Sequence, residues 1–244
     1  MCSVFSSGFL EGQEISLLAF TDGKTVLPMD SAQDHKAIYN GNQGPNTGGM
    51  GAYSPAPLFS QKLFDQAMHQ IMYPIVKALE KENALYKGIL YAGLIITTSG
   101  PKVLEFNARF GDPETQPLLM RMQSDIVPLM EACIDGTLAS YKIVWNNQPA
   151  VCVVMAAEGY PGGYKKGKPI SGLDKAAIMK NVTVFHAGTK KQDGQVFTDG
   201  GRVLGVTALG EDLPCAIKNA YSAVEKIRWK GIHYRKDIGH QAIE

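Results

Sequence analysis

Cysteine is sparse in this sequence and shows no pattern. Cys2, Cys133, Cys152 and Cys215 form no CxxC pair, which argues against a disulfide framework or a zinc site and for reduced thiols of a cytoplasmic protein. The five histidines do not cluster either. Formal net charge is only +1, and no basic stripe interleaves with aromatics, so nucleic acid is not an expected partner. The longest apolar runs, 89–96 and 150–157, are far too short to span a bilayer, and no membrane association is expected. Residues 1–8 carry neither the basic nor the apolar segment of an export signal. There is no internal repeat and no low-complexity tract.

What remains is a chain of 244 residues with 45% hydrophobic content, enough for one large or two small domains. Residues 15–20 and 25–29 read as strands of a hairpin turning at Asp22-Gly23. From Ser60 an apolar stripe of period 3.6 runs to Leu79, and Pro74 either kinks that helix or starts a second one. Residues 88–98 read as a strand, a turn follows at Ser99-Gly100-Pro101, and 118–133 read as one amphipathic helix. Composition shifts over 141–149, placing a boundary between residues 1–145 and 146–244. Beyond it, 150–157, 182–187, 195–198 and 202–209 read as strands. A last helix spans 212–227, capped by Asp212 with Pro214 tolerated in its first turn.

The densest chemistry lies in VLEFNARFGDPETQ, residues 103–116. Side chains alternate across a strand, so Glu105, Asn107 and Arg109 are expected on one face, with Leu104, Phe106 and Ala108 on a core face. Carboxylate and amide oxygens suit Mg²⁺, which takes one or two protein oxygens and completes its shell with phosphates. Arg109 offers a fork for a carboxylate or phosphate. Asp112 and Glu114 add two acids in a Gly/Pro turn. On these residues alone, a surface strand with its polar side in water is the competing reading.

Residues 44–57, GPNTGGMGAYSPAP, place four glycines within eight positions. Such backbone can turn sharply and offer N–H groups to an anion. No Gly-Lys-Ser/Thr follows, so it is not a Walker loop, and a plain connector is the competing reading. The lysine-rich loop 160–168 could steer an anionic substrate, although solvated loop lysines are commoner.

Together GPNTGGMGAYSPAP, VLEFNARFGDPETQ, YPGGYKKG (160–167), VFHAGT (184–189), GGRVLGVTALG (200–210) and YRKDIG (234–239) resemble the glycinamide ribonucleotide synthetase family of the ATP-grasp superfamily. The resemblance runs from about Phe9 to Glu244. It implies an α+β / α/β fold: the C-terminal half of an ATP-grasp fold, an antiparallel sheet with helices, followed by a small α/β domain. It implies a ligase of purine biosynthesis that uses ATP as co-substrate with Mg²⁺ or Mn²⁺. Glycine would be activated as glycyl phosphate and captured by 5-phosphoribosylamine. Carried over by motif, Glu105 and Asn107 are metal ligands. Phe9, Leu10 and Glu14 face the nucleotide, Asn46, Thr47, Gly48 and Gly49 hold substrate, and Arg109 and Asp112 act at the acyl phosphate.

The sequence also departs from the family. Ser7 and Gly8 stand where a pair of glutamates usually frames adenine, and Ala37 follows Asp34-His35-Lys36 where a second basic residue is common. The family's N-terminal domain, first ATP-grasp half and phosphate-covering lid are not recognisable. The expectation is therefore a truncated enzyme, with Met1 to Ser7 as unrelated joined sequence. It would act either as a ligase portion completed by a chain supplying the missing half, or as a non-catalytic fragment or binding module.

Overall fold

The computed structural model describes residues 10–243. Its centre is a nine-stranded sheet in which every strand pairing is antiparallel. The strands of the chain are β1 (Gln13–Thr21), β2 (Val26–Asp34), β3 (Ala37–Tyr39), β4 (Gln43–Asn46), β5 (Gly51–Ser54), β6 (Gly88–Thr97), β7 (Gly100–Asn107), β8 (Ala150–Ala157), β9 (Val182–His186), β10 (Thr189–Gln192), β11 (Gln195–Thr198), β12 (Arg202–Leu209) and β13 (Ile232–His233). The main sheet runs β7-β6-β1-β2-β5-β8-β12-β9, and β13 adds to β8. The expected antiparallel sheet with helices is thus found.

One finding was not anticipated. Strands from both sides of residue 145 belong to the same sheet, joined where the four-residue β5 bonds to β2 and to β8. Gly51, Ala52, Tyr53 and Ser54 are all buried, as every residue of β8 is. A strand buried on both faces reads as a continuous apolar run, and four residues inside a glycine-rich stretch are too few to show one.

Helices cover the sheet. α1 (Gln61–Ala67) and α2 (Tyr73–Lys81) flank a π-helical turn over Met68–Met72. Pro74 lies in the first turn of α2; having no N–H, it cannot serve the carbonyl one turn earlier, and the wider turn accommodates that loss. Met68, Ile71, Met72 and Val76 pack on Ile15, Leu17, Ala92 and Leu94 of the sheet. On the opposite face Leu129, Ala132 and Cys133 cover Leu18, Phe20 and Tyr91.

The single helix expected over 118–133 is two: α3 (Thr115–Arg121) and α4 (Ile126–Asp135). Met122 leaves the helix to bridge Trp145, and Asp125 caps α4 by accepting the Val127 N–H at 2.9 Å. Apolar periodicity continues across the break, so periodicity alone cannot reveal it. Leu173–Ala177 forms the short helix α5. α6 (Leu213–Val224) matches its expectation, with the Asp212 carboxylate accepting the Cys215 N–H at 2.8 Å and Pro214 in the first turn.

The strand bearing Glu105 needs a second correction. β7 is the edge of the sheet, and its register against β6 shifts between Val103↔Leu94 and Glu105↔Gly93, which leaves Leu104 opposite no partner. Bulges break the two-residue alternation. Leu104 is 42% exposed and Phe106 39%, so the face expected to be core is open. The strand ends at Asn107, and Arg109 lies in the following turn.

Candidate active-site cleft

Two adjoining clefts open on the face of the sheet that carries Ser16, Tyr91, Glu105 and Asn107. The first is lined by Gly12, Gln13, Glu14, Gln33, Asn46 and Gln241, among others; the second by Thr47, Gly48, Tyr91, Glu105, Asn107, Arg109, Asp112 and Glu114. Asp34 and Lys36, at the end of β2 and just past it, line both.

The glycine-rich loop is held against β2. His35 N–H donates to the Gly51 carbonyl at 2.9 Å, and Met50 N–H to the His35 carbonyl at 2.8 Å. Thr47 Oγ1 donates to the Lys36 carbonyl at 2.8 Å and accepts the Gly49 N–H at 3.0 Å. Gly49 has φ +113°, and a Cβ there would lie 2.3 Å from Pro113 Cδ and 2.9 Å from Asp34 Oδ1. Only glycine fits that conformation and that gap. Gly49 is therefore a packing residue, lying beneath Pro113 instead of lining the cleft.

Arg202, at the start of β12, joins the loop to the turn after β7. Its Nη1 donates to the carbonyls of Gly48 at 2.7 Å and Asp112 at 2.5 Å, and its Nη2 meets Asp112 Oδ2 at 3.1 Å. Asp112 also accepts from Gln116 Nε2 at 2.9 Å. Its carboxylate is thus engaged in holding this corner together. Tyr160, at the start of the lysine-rich loop 160–168, accepts the Gly48 N–H at 3.0 Å.

Beneath the second cleft, Glu114 is 3% exposed. Its Oε1 accepts hydrogen bonds from Ser16 Oγ at 2.8 Å and Tyr91 Oη at 2.9 Å. Burial and the Glu114 charge raise the Tyr91 phenol far above its ordinary pKa, so Tyr91 stays a donor. Asp34 Oδ1 is buried with no hydrogen-bond partner, and burial followed by the Glu114 charge pushes its carboxyl well upward. Lys36 Nζ meets Glu14 Oε2 at 2.5 Å. Burial works to lower the Lys36 pKa, but the Glu14 carboxylate outweighs it and the pKa stands above its ordinary value.

The sequence-predicted residues divide accordingly. Glu105, Asn107, Arg109, Asp112, Thr47 and Gly48 share the second cleft, while Glu14 and Asn46 line the first. Leu10 is exposed and lies outside both linings. Phe9 lies outside the described residues. Sequence reasoning noted Glu114 as an acid of the turn but missed Asp34, Arg202 and the Ser16 and Tyr91 hydroxyls that bond Glu114. A signal existed for two of them: Ser16 and Tyr91 are the polar interruptions in the apolar runs ISLLAF and ILYAGLII.

The donor set fits a divalent cation bound together with phosphates. Asn107 Nδ2 donates to Glu105 Oε1 at 3.0 Å, so a half-turn of that amide would set its oxygen beside the carboxylate. Among the described residues no three His, Cys, Asp or Glu side chains converge on one point. A hard cation here would therefore rely on two protein oxygens and complete its octahedron from a ligand.

Solved structures of similar architecture include the biotin carboxylase domain of Hydrogenobacter thermophilus 2-oxoglutarate carboxylase, crystallised with MgADP and bicarbonate. It is 16% identical with a TM-score of 0.63, over 93% of this chain and 48% of that one. At that identity the likeness shows the fold alone. The class, that of ATP-grasp proteins, is given by a family match. The family model for phosphoribosylglycinamide synthetase, ATP-grasp (A) domain, matches residues 2–115, and the model for its C domain matches residues 150–241. The phosphoribosylamine–glycine ligase of Rhodopirellula baltica is 52% identical over 235 residues, 96% of this chain and 54% of that protein. The chicken trifunctional purine biosynthetic protein adenosine-3 is also 52% identical over 235 residues, which are 23% of its length. The crystal structure of the Thermotoga maritima phosphoribosylamine–glycine ligase aligns with a TM-score of 0.84 at 33% identity, covering 94% of this chain and 56% of that one. The chain belongs to the phosphoribosylglycinamide synthetase family and spans about half the length of the ligases it matches.

Proposed function

We propose that this chain carries the metal-binding and acyl-phosphate side of an ATP-dependent ligase that joins glycine to 5-phosphoribosylamine. The observation that supports this reading most directly is the second cleft. It gathers Glu105, Asn107 and Arg109 opposite Thr47, Gly48 and Lys36, the hard oxygens and cations that phosphoryl transfer calls for. A glycine carboxylate oxygen would attack the γ-phosphorus of ATP and release ADP. The amine of 5-phosphoribosylamine would then attack the acyl carbon, forming the amide and expelling phosphate. No protein nucleophile is required.

In this reading Glu105 and Asn107 would hold Mg²⁺, which when bound would spread the charge on the ATP phosphates. Arg109, whose Nη1 donates to the Phe110 carbonyl at 2.9 Å, would meet the transferring group. Glu14 and Lys36 orient the nucleotide in the first cleft, and Asn46, Thr47 and Gly48 position glycine. Arg202 and Asp112 keep the two walls in register. We further propose that residues 1–145 and 146–244 act as two functional parts, in line with the gap between the matched segments at 115 and 150. Among the described residues no helix is long and apolar enough to cross a membrane; a cytoplasmic location is proposed on the biosynthetic role of the relatives.

Titration calorimetry with ADP and Mg²⁺, paired with thermal unfolding, tests the site. Glu105→Gln should abolish Mg²⁺-dependent binding and leave the melting curve intact. Leu104→Asp, at the exposed bulge, should change stability by only about 0.5 kcal/mol and spare binding. Unfolding by Glu105→Gln, or unaltered Mg²⁺-dependent binding in that variant, would sink the assignment. A non-catalytic binding module is the second reading, supported by the half-length match to the relatives. Turnover that appears only when the N-terminal half of a relative is added would favour the split ligase over it.

A further inference from the structure

A second pair of hollows adjoins at the end of β8. Two glycines close that corner. Gly231 has φ +79°, and a Cβ there would lie 2.8 Å from Glu158 Oε2; Gly159 has φ +93°, and a Cβ there would collide with the Gly163 carbonyl oxygen. The Glu158 N–H donates to the Gly231 carbonyl at 2.7 Å. Glu158, Gly159 and Gly231 line both hollows, and neither hollow shares a lining residue with the two clefts of the candidate active site.

One hollow, of about 370 Å³, is basic: Lys165, Lys168 and Lys230 line it beside Trp229. Rigid backbone sets two of those ammonium groups. The Lys168 N–H donates to Thr198 Oγ1 at 3.1 Å and its carbonyl accepts the Thr198 N–H at 2.9 Å. Lys230 follows Trp229, which is 7% exposed and packs in the main core. The Trp229 Nε1–H is buried and bonds to no acceptor in the fold. Among the described residues none of the three lysines pairs with a carboxylate, whereas Lys166 between them meets Asp199 Oδ1 at 3.3 Å. The other hollow, of about 420 Å³, is aromatic, with Tyr39, Tyr160 and His233 in its wall. His233 Nε2 donates to the Ile38 carbonyl at 3.0 Å, and the Tyr39 ring stands perpendicular to the imidazole with centroids 5.9 Å apart. Glu158 is the one acid in either lining.

We propose that the joined hollows form a binding site for a nucleoside monophosphate, separate from the ATP clefts and independent of the ligase reading. The order of the parts matches the order of the ligand. Aromatic rings stack a base, a carboxylate at the junction accepts hydrogen bonds from ribose hydroxyls, and unpaired ammonium groups hold the phosphate. A neighbouring stretch of polypeptide laid over this corner would bury three unpaired lysines, which is costly. A small phosphorylated ligand supplies the missing countercharge and leaves the lysine stems partly in water. Tyr160 lines the aromatic hollow and also accepts the Gly48 N–H, so occupancy reaches the glycine-rich loop of the second cleft.

Titration calorimetry of the full chain with AMP, in the absence of Mg²⁺, tests this. The expected dissociation constant is roughly 10–100 µM, with adenosine and ribose 5-phosphate each weaker by about tenfold or more. Lys168→Met, Lys230→Met and Tyr39→Ala should each weaken AMP binding by about tenfold or more. Lys191→Met, at an exposed position of β10, and Glu14→Ala, in the first cleft, should leave it unchanged. Hydrogen exchange with AMP present should slow over 157–168 and 229–233, and not over 12–14 and 33–36. Thermal unfolding establishes that each variant is folded, and Lys230→Met serves if Lys168→Met lowers the melting temperature. Absence of AMP binding overturns the proposal, as does AMP bound no more tightly than adenosine or ribose 5-phosphate. So does binding lost in Glu14→Ala or Lys191→Met. Release of bound AMP on adding the N-terminal half of a relative also overturns it, because the corner would then be a surface that portion covers.

Discussion

Replacing Asp237 by Asn should strand a buried cation and loosen one wall of the first cleft. Arg235 is 1% exposed. Its Nε and Nη2 donate to the two Asp237 oxygens at 2.8 and 2.7 Å, and its Nη1 donates to the Ala37 carbonyl at 3.1 Å. Asp237 Oδ2 also accepts the Gly41 N–H at 2.8 Å. Removing one partner of such a buried pair costs about 3–5 kcal/mol, a large share of the ~5–15 kcal/mol that holds a typical protein folded. At this chain length each kcal/mol moves the melting temperature by about 2–4 °C, so a fall of roughly 6–20 °C is expected. Asn keeps one acceptor oxygen, which favours the lower end. Burial acts to raise the Asp237 pKa, but Arg235 and the Gly41 N–H hold it below the ordinary carboxylate value. The ion pair therefore stabilises the fold above the ordinary carboxylate range, and its contribution fades only as pH falls through the lowered value. Calorimetry at pH 7 reads the loss, and hydrogen exchange at Gly41 reads the local consequence in the segment leading to Asn42 and Asn46. A shift under about 3 °C would refute the reasoning. So would an Arg235→Met/Asp237→Leu double variant less stable than Asp237→Asn, because removing both charges leaves none stranded.

Two further outcomes follow from the same wall. Gly49→Ala forces a side chain into a left-handed conformation and against Pro113, so it should cost more than about 1 kcal/mol and weaken ligand binding; urea unfolding that shows no loss would contradict the packing role. His35 is 3% exposed, and burial, with the Arg235 charge next, pushes its pKa down to about 4. The unfolded state therefore takes up a proton first as pH falls below about 6.5, and stability should drop by about 1.4 kcal/mol per pH unit toward pH 5. His35→Gln should flatten that slope, and an unchanged slope in the variant would assign the effect to another group.

Much of the fold was legible because its signals are local. The β1–β2 hairpin announces itself through Asp22-Gly23, whose Asp22 Oδ1 accepts the Lys24 and Thr25 N–H groups at 3.0 and 2.7 Å, and α6 through its Asp212 cap. The Glu105–Asn107 pair survived for a related reason: the bulge falls at Leu104, before the pair, so the two residues keep one face. Everything that failed depended on what lies across from the residue. Leu104 and Phe106 look like core only if another layer covers β7, and an edge strand gives no sign of that in its own sequence. The α3–α4 break is set by Trp145, and β5 takes its meaning from partners that lie at Gln33 and Val151.

The candidate site shows the same division more sharply. Arg202 braces Asp112 from 90 positions away and Gly48 from 154, a distance at which spacing carries no information. Yet Ser16 and Tyr91 could have been found. A lone hydroxyl in a strand whose neighbours are all buried apolar residues must meet a partner or lose free energy. Two such strands paired as β1 and β6 are place their lone hydroxyls on one face. In the fold the two hydroxyls lie 2.9 Å apart and both bond Glu114 Oε1, so the paired interruptions mark where the buried carboxylate sits. Polar interruptions of buried strands thus point inward to a site as surely as glycine-rich loops point outward to one.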